Sequence, residues 1–220
     1  MLLLVSDRAE MDKIARRAQE LWLACQTLHS VITDGDPDAK GATWEDRLKP
    51  LQPELDAVTA ALSEKSELVS TVVGSVPETA ARRGVWTESA LAERFGRVRS
   101  VARRVALIDE SGGSLFRYLV SYLMSAFVLR QPVHAEAAQP LDDAEVDPGE
   151  LTVFVLLDRA ADAVDRGDLE QAVRYVNQLR GEPRRVASDW LSEARLLLET
   201  RQAAEVLVSF SVAKSLGSLA

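Results

Sequence analysis

The sequence predicts an all-α protein. Along most of the chain, apolar residues recur at spacings of three and four, which is the period of one face of a helix. No segment alternates apolar and polar residues in the way that a half-buried strand does. Only 5% of the residues are aromatic although 47% are hydrophobic, so leucine, alanine and valine supply most of the apolar positions. We therefore expect a helical bundle in which a long N-terminal, coiled-coil-like helix precedes a compact C-terminal helical domain.

The first helix is predicted to run from Asp7 to Ile32. Its apolar residues form a heptad seam: Met11, Ile14, Ala18, Leu21, Cys25, Leu28 and Ile32. The seam fits both coiled-coil association and packing on a neighbouring helix, and residues 1–33 are predicted to be the end of a coiled-coil region. The glycines, proline and acids of residues 33–43 then predict a loop.

Residues 34–86 are predicted to hold short helices and loops. Pro53 suits the first turn of one helix. Gly84 is placed to end a turn that begins at Pro77. Thr87 is a suitable N-cap for the longer helix that follows.

That longer helix, from about Leu91 to Ile108, is basic and amphipathic. Between Leu91 and Val105 it carries five arginines and one glutamate, whereas the whole chain has a formal net charge of −8. One face collects the apolar residues Leu91, Phe95, Val98, Ala102 and Val105.

This pattern has two interpretations. It suits an anionic membrane surface, because arginine stems lie on lipid while their guanidinium groups bind phosphate. It equally suits a core-facing helix with a solvated back. On the first interpretation, the candidate lipid-binding residues are Arg94, Phe95, Arg97, Val98, Arg99, Arg103 and Arg104.

A second helix is predicted from Leu115 to Leu129, after a turn at residues 109–114. It is apolar on nearly every side, but it contains Arg117 and is too short to span a bilayer. Residues 87–130 are therefore predicted to form a helical pair. Residues 131–149 contain three prolines and several acids, which predicts an acidic linker and a domain boundary.

The C-terminal domain, residues 150–220, is predicted to contain three helices: Leu151–Arg166, Leu169–Arg180 and about Arg184–Lys214. Asp168 and Gln171 have the spacing of a capping box at the start of the second helix.

The turn between the last two helices carries a second group of candidate residues. Arg180, Arg184 and Arg185 surround it, and Trp190 follows shortly after. Arginine and tryptophan are enriched at protein interfaces, so these four are candidate partner-binding residues. The alternative is that the tryptophan lies in the core while the arginines cap helix ends or pair with acids.

Residues that usually carry enzyme chemistry are isolated in this sequence. His29 and His134 have no second ligand at metal-binding spacing, and Cys25 is the single cysteine. No phosphate-binding loop or dinucleotide fingerprint occurs. The negative net charge argues against general nucleic-acid binding. We expect no catalytic residue, no metal site and no cofactor.

The chain resembles the C-terminal region of the mitofilin family. The resemblance is carried by GDLEQAVRYVNQLRGEPRRVASDWLSEARLLLETRQ at residues 167–202 and by LWLACQTLHS at residues 21–30. Between them, RGVW, RVRSVARRVALIDE and SLFRYLVSYLMS occur in the family's order. The resemblance covers nearly the whole chain and is weakest over residues 33–76.

This resemblance implies a membrane-shaping scaffold. Family members are core subunits of MICOS, the mitochondrial contact site and cristae organising system, with a presequence, one membrane anchor and a coiled coil before this region. The chain then looks like a C-terminal fragment that lacks the presequence and anchor and faces the intermembrane space at cristae junctions.

The same resemblance implies three partners. Residues 91–129 correspond to the family's lipid-binding segment, in which Arg94 and Phe95 match a basic–aromatic membrane contact. Residues 150–220 correspond to the mitofilin domain, which binds a CHCH-domain subunit of MICOS and forms homo-oligomers, as dimers or larger. We thus expect contacts with anionic phospholipid, the CHCH-domain subunit and further copies, and none with nucleic acid. The alternative is a protein-binding helical adaptor without lipid contact.

Overall fold

The computed structural model describes residues 2–36, 48–62, 66–106 and 153–217, with side chains of the first helix from Asp12 onward. All regular structure in these ranges is helical, which confirms the all-α class. The helices are α1 (Leu2–Asp34), α2 (Gln52–Ala60), α3 (Glu67–Ser75), α4 (Glu78–Arg83), α5 (Glu88–Val105), α6 (Val153–Asp165), α7 (Leu169–Asn177) and α8 (Gly181–Gly217). None of these helices is both long and apolar enough to cross a bilayer.

The chain divides into two compact units. Unit 1 contains Met1–Thr87 and Leu196–Ala220, and unit 2 contains Glu88–Arg195. The predicted helix at residues 115–129 and the predicted linker at residues 131–149 lie outside the described residues.

In unit 1, the long N-terminal helix α1 packs against α2. The seam residues Ala18, Leu21, Cys25, Leu28 and Ile32 are all buried. From Ala18 onward, therefore, the seam packs inside its own chain. Ile14 is about half exposed, and the side chain of Met11 lies outside the described residues.

Cys25 behaves as the small buried residue that the sequence predicts. Only 1% of its surface is exposed. Burial raises the pKa of its thiol above the ordinary value, and a hydrogen bond with Ser211 acts more weakly in the opposite direction. The thiol therefore stays protonated at neutral pH and is a poor nucleophile.

A close backbone contact fixes the turn after α4. Gly84 has φ = 91°, in the region that favours glycine, and a Cβ atom there would lie 2.2 Å from the backbone oxygen of Lys49. The neighbouring N–H of Leu51 donates to the carbonyl of Ala81 at 3.0 Å. Lys49 also pairs with the buried Glu54 at 2.8 Å. These backbone contacts hold the segment that leads into α2 against α4 and the turn that follows it.

Replacing Gly84 with alanine is expected to lower the free energy of unfolding by about 2 kcal/mol or more, because backbone strain adds to the contact with Lys49. Chemical denaturation of the full chain measures this. Gly74→Ala is the matched control, since a Cβ atom there meets nothing within 4 Å in helix α3. It should be neutral or slightly stabilising. Equal stability of the two variants would contradict the account of this turn.

In unit 2, α6 packs against both α5 and α7. The side chain of Asp168 accepts a hydrogen bond from the backbone N–H of Gln171 at 2.9 Å, which confirms the predicted cap of α7. Helix α7 ends at Asn177, earlier than predicted, and α8 already begins at Gly181. Pro183 therefore lies in the first turn of α8, where a missing N–H costs nothing.

Candidate functional site

The apolar face of the basic helix α5 lies inside unit 2. Leu91 and Ala102 are fully buried, and Phe95 is only 2% exposed. The ring of Phe95 packs against that of Trp190 with centroids 4.7 Å apart and planes tilted by 52°. Trp190 is itself 0% exposed, and its indole N–H donates to the carbonyl oxygen of Leu91 at 2.9 Å. This contact joins α5 to α8 within the core of unit 2.

Ion pairs flank the buried face of α5 on both sides. On one side, Arg94 pairs with Asp189 of α8. On the other side, Arg99 and Arg103 both pair with Asp158 of α6, the latter at 2.6 Å. The carboxylate of Asp158 is largely buried, so two cations offset the cost of removing it from water.

The opposite face of α5 presents two arginines to solvent. Arg97 has 80% of its side chain exposed, Val101 is 42% exposed, and Arg104 is exposed one turn further on. We call these three residues the basic stripe. They are spaced by four and three positions, so they lie on one side of the helix. Arg97 forms an ion pair with Glu93 at 3.4 Å, and such an exposed pair contributes little stability.

The seven candidate lipid-binding residues therefore do not all face solvent. Arg97 and Arg104 face outward, while Val98 is half-buried. The expected insertion of the Phe95 ring into lipid is incompatible with this fold, because that ring is sealed against Trp190. Lipid contact by α5 stays a prediction. The residues that can make this contact are those of the basic stripe.

The candidate partner-binding residues are also divided. Trp190 lies in the core, which favours the alternative of a core tryptophan, and we propose no direct partner contact for it. Arg184 donates to the carbonyl oxygens of Val176 and Asn177 at 3.3 and 2.7 Å and thereby caps the end of α7. Arg185 is exposed and pairs with Glu182 at 2.7 Å.

Three polar residues of these contacts were not predicted as parts of a site. Asp158 and Asp189 hold arginines that are 55 to 95 positions away in the sequence. Asn177 accepts from Arg184 at the end of α7. No local motif links residues so far apart, although several arginines beside one buried face do indicate that acids must lie nearby. Within the described residues, no group of three or more side chains is arranged to hold a metal ion.

Comparison with known proteins identifies the family. The sequence profile named Mitofilin, described as a mitochondrial inner membrane protein, matches residues 3–210. The chain belongs to the mitofilin family. This match covers α1 to α7 and most of α8, so the family assignment includes both units.

Several relatives of the family carry MICOS in their names. The chain is 42% identical over 212 residues to the MICOS complex subunit Mic60 of Drosophila melanogaster, covering 96% of this chain and 28% of that protein. It is 30% identical over 192 residues to MIC60 of Trichophyton verrucosum, covering 87% of this chain and 24% of that protein. Identity to MIC60-2 of Caenorhabditis elegans is 28% over 216 residues, covering 97% of this chain and 32% of that protein. The chain thus spans about a quarter to a third of these relatives, and no solved structure matches it significantly.

Proposed function

We propose that this chain is part of a structural MICOS subunit at the mitochondrial inner membrane and that it contacts anionic lipid headgroups through the basic stripe of α5. Support comes from the family, from the names of the relatives, and from two outward-facing arginines in a chain whose net charge is −8. The exposure of Arg97 and Arg104 on one side of α5 is the observation that carries the lipid contact.

The proposed contact is electrostatic and reversible. Each arginine near an anionic surface contributes about 1 kcal/mol, and this contribution decays within a Debye length of about 8 Å at physiological salt. Val101 adds a small apolar surface between the two cations. One such stripe binds weakly, so stable attachment and membrane shaping at cristae junctions require several copies held together by homo-oligomerisation.

Reversing both charges of the basic stripe is expected to weaken vesicle binding at least about tenfold. The variant is Arg97→Glu with Arg104→Glu, and the measurement is flotation with cardiolipin-containing vesicles over a series of salt concentrations. Arg174→Glu is the control, because Arg174 is likewise exposed and pairs with a glutamate four positions away.

The wild-type chain should lose binding as salt rises, and the control variant should follow it closely. Equal binding by a folded stripe variant and the wild-type chain would reject the lipid contact.

The second candidate function is a protein-binding helical adaptor without lipid contact. Its support is that the apolar face of α5 is already packed on Trp190 and that Arg94, Arg99 and Arg103 already pair with acids. An adaptor predicts no flotation at any salt concentration, so the same experiment separates the two functions.

Partner recruitment is proposed for the outer side of the turn between α7 and α8. Arg180 and Arg185 are exposed there, whereas Trp190 is not. Arg185→Glu should weaken binding of a CHCH-domain MICOS subunit about tenfold in calorimetric titration, because it replaces a cation with an anion beside Glu182. Retained affinity in this variant would move the partner surface away from Arg185.

A further inference from the structure

Two arginines of α8 share a single neutral acceptor. The side-chain oxygen of Asn177 accepts from a terminal guanidinium nitrogen of Arg184 at 2.9 Å and from one of Arg195 at 2.6 Å. Two like charges are therefore held side by side at the end of α7. Their mutual repulsion is a cost that an anion bound beside them would remove.

Neither of these two cations forms an ion pair with a carboxylate in the described residues. Arg184 and Arg195 are eleven positions apart, which is about three helical turns, so they lie on one face of α8. Between them, that face carries Ser188, Leu191 and Ser192 and no acid. The acids of this stretch point elsewhere: Glu182 pairs with Arg185, Asp189 pairs with Arg94, and Glu193 lies on the far side of the helix.

A third cation stands at the same turn. Arg180 is exposed, lies three positions after Asn177, and forms no ion pair in the described part of the chain. The guanidinium group of Arg195 uses one nitrogen for Asn177, which leaves its other donors for a ligand.

We infer that Arg180, Arg184 and Arg195 form a binding site for a phosphate group. Three guanidinium groups favour a ligand with two negative charges and at least three acceptor oxygens, which a phosphate monoester has and a single carboxylate lacks. The site is distinct from the basic stripe, and it does not depend on lipid contact by α5. The ligand is either free inorganic phosphate or the terminal phosphate of a lipid headgroup.

The test is calorimetric titration of the full chain with inorganic phosphate, with acetate at matched ionic strength as the comparison. Arg195→Gln should weaken phosphate binding about 10- to 100-fold, since it removes a charge-assisted hydrogen bond. Arg180→Gln should weaken it in the same direction. The control Arg174→Gln should change it less than about twofold, because Arg174 is already paired with Glu170 and does not share the Asn177 acceptor.

Arg184 is kept unchanged, because it caps α7 and its loss would alter the fold. Thermal unfolding of each variant establishes that the fold is retained. Competition by phosphatidic acid vesicles, but not by phosphatidylglycerol vesicles, would support the site with a lipid phosphate monoester as ligand. Saturable phosphate binding without such competition would support the site with free inorganic phosphate as its ligand. Absence of saturable phosphate binding, or equal weakening by Arg174→Gln and Arg195→Gln, would overturn the inference.

Discussion

Replacing Phe95 with aspartate is expected to unfold unit 2. The Phe95 ring is 2% exposed and packs on Trp190, so the change removes a large buried side chain and introduces a carboxylate into the same space. Loss of a buried phenylalanine costs about 3–5 kcal/mol, and an unpaired buried charge adds several more. This sum is comparable with the whole stability of a domain, about 5–15 kcal/mol. Near-ultraviolet circular dichroism and thermal unfolding should lose the cooperative signal of unit 2.

Val101→Asp is the matched control for this experiment. It introduces the same charge on the same helix, but at a position that is 42% exposed. The free energy of unfolding should change by no more than about 0.5 kcal/mol, while vesicle binding weakens. A Phe95→Asp variant with wild-type unfolding would contradict the buried position of that ring. The comparison also separates loss of lipid binding from loss of the fold, which a Phe95→Asp variant alone does not do.

Truncation of Trp190 to alanine is expected to cost about 3–5 kcal/mol of unfolding free energy. The side chain is 0% exposed and is the largest in the core of the described residues. Its loss leaves a cavity beside Phe95 and removes the hydrogen bond to the carbonyl of Leu91. Chemical denaturation measures the change.

Trp190→Phe provides the graded control. It keeps an aromatic ring against Phe95 but lacks the indole N–H, so we expect a loss of only about 1–2 kcal/mol. Similar stabilities of the alanine variant and the wild-type chain would argue against the core position. If the alanine variant also fails to bind a partner, that failure follows from the fold and does not place Trp190 in the interface.

Helical periodicity predicted the parts of this fold that depend on local sequence. The seam of α1 is buried from Ala18 onward, the cap of α7 at Asp168 is formed, and Gly84 ends α4. The amphipathic character of α5 was also predicted, with Leu91 and Phe95 on its apolar face. Each of these features arises within a few turns of chain, where spacing and side-chain type determine the result.

The function of the apolar face of α5 was not predictable in this way. A bilayer and a protein core present similar apolar surroundings to Phe95, so the pattern of the helix alone does not distinguish them. The difference lies in residues far along the chain: Trp190 covers the ring, and Asp158 and Asp189 pair with the flanking arginines. The start of α8 was also missed: it was predicted at about Arg184, but α8 begins at Gly181 and Pro183 lies in its first turn.

The central proposal is that α5 meets lipid with its basic stripe while Phe95 stays packed on Trp190. A nitroxide label placed at Val101→Cys tests it most directly, since the native Cys25 is buried and stays unlabelled. On cardiolipin-containing vesicles, we expect this label to move into the headgroup region while a label at Arg174→Cys remains in water. A vesicle-bound chain whose label at position 101 remains in water would contradict it.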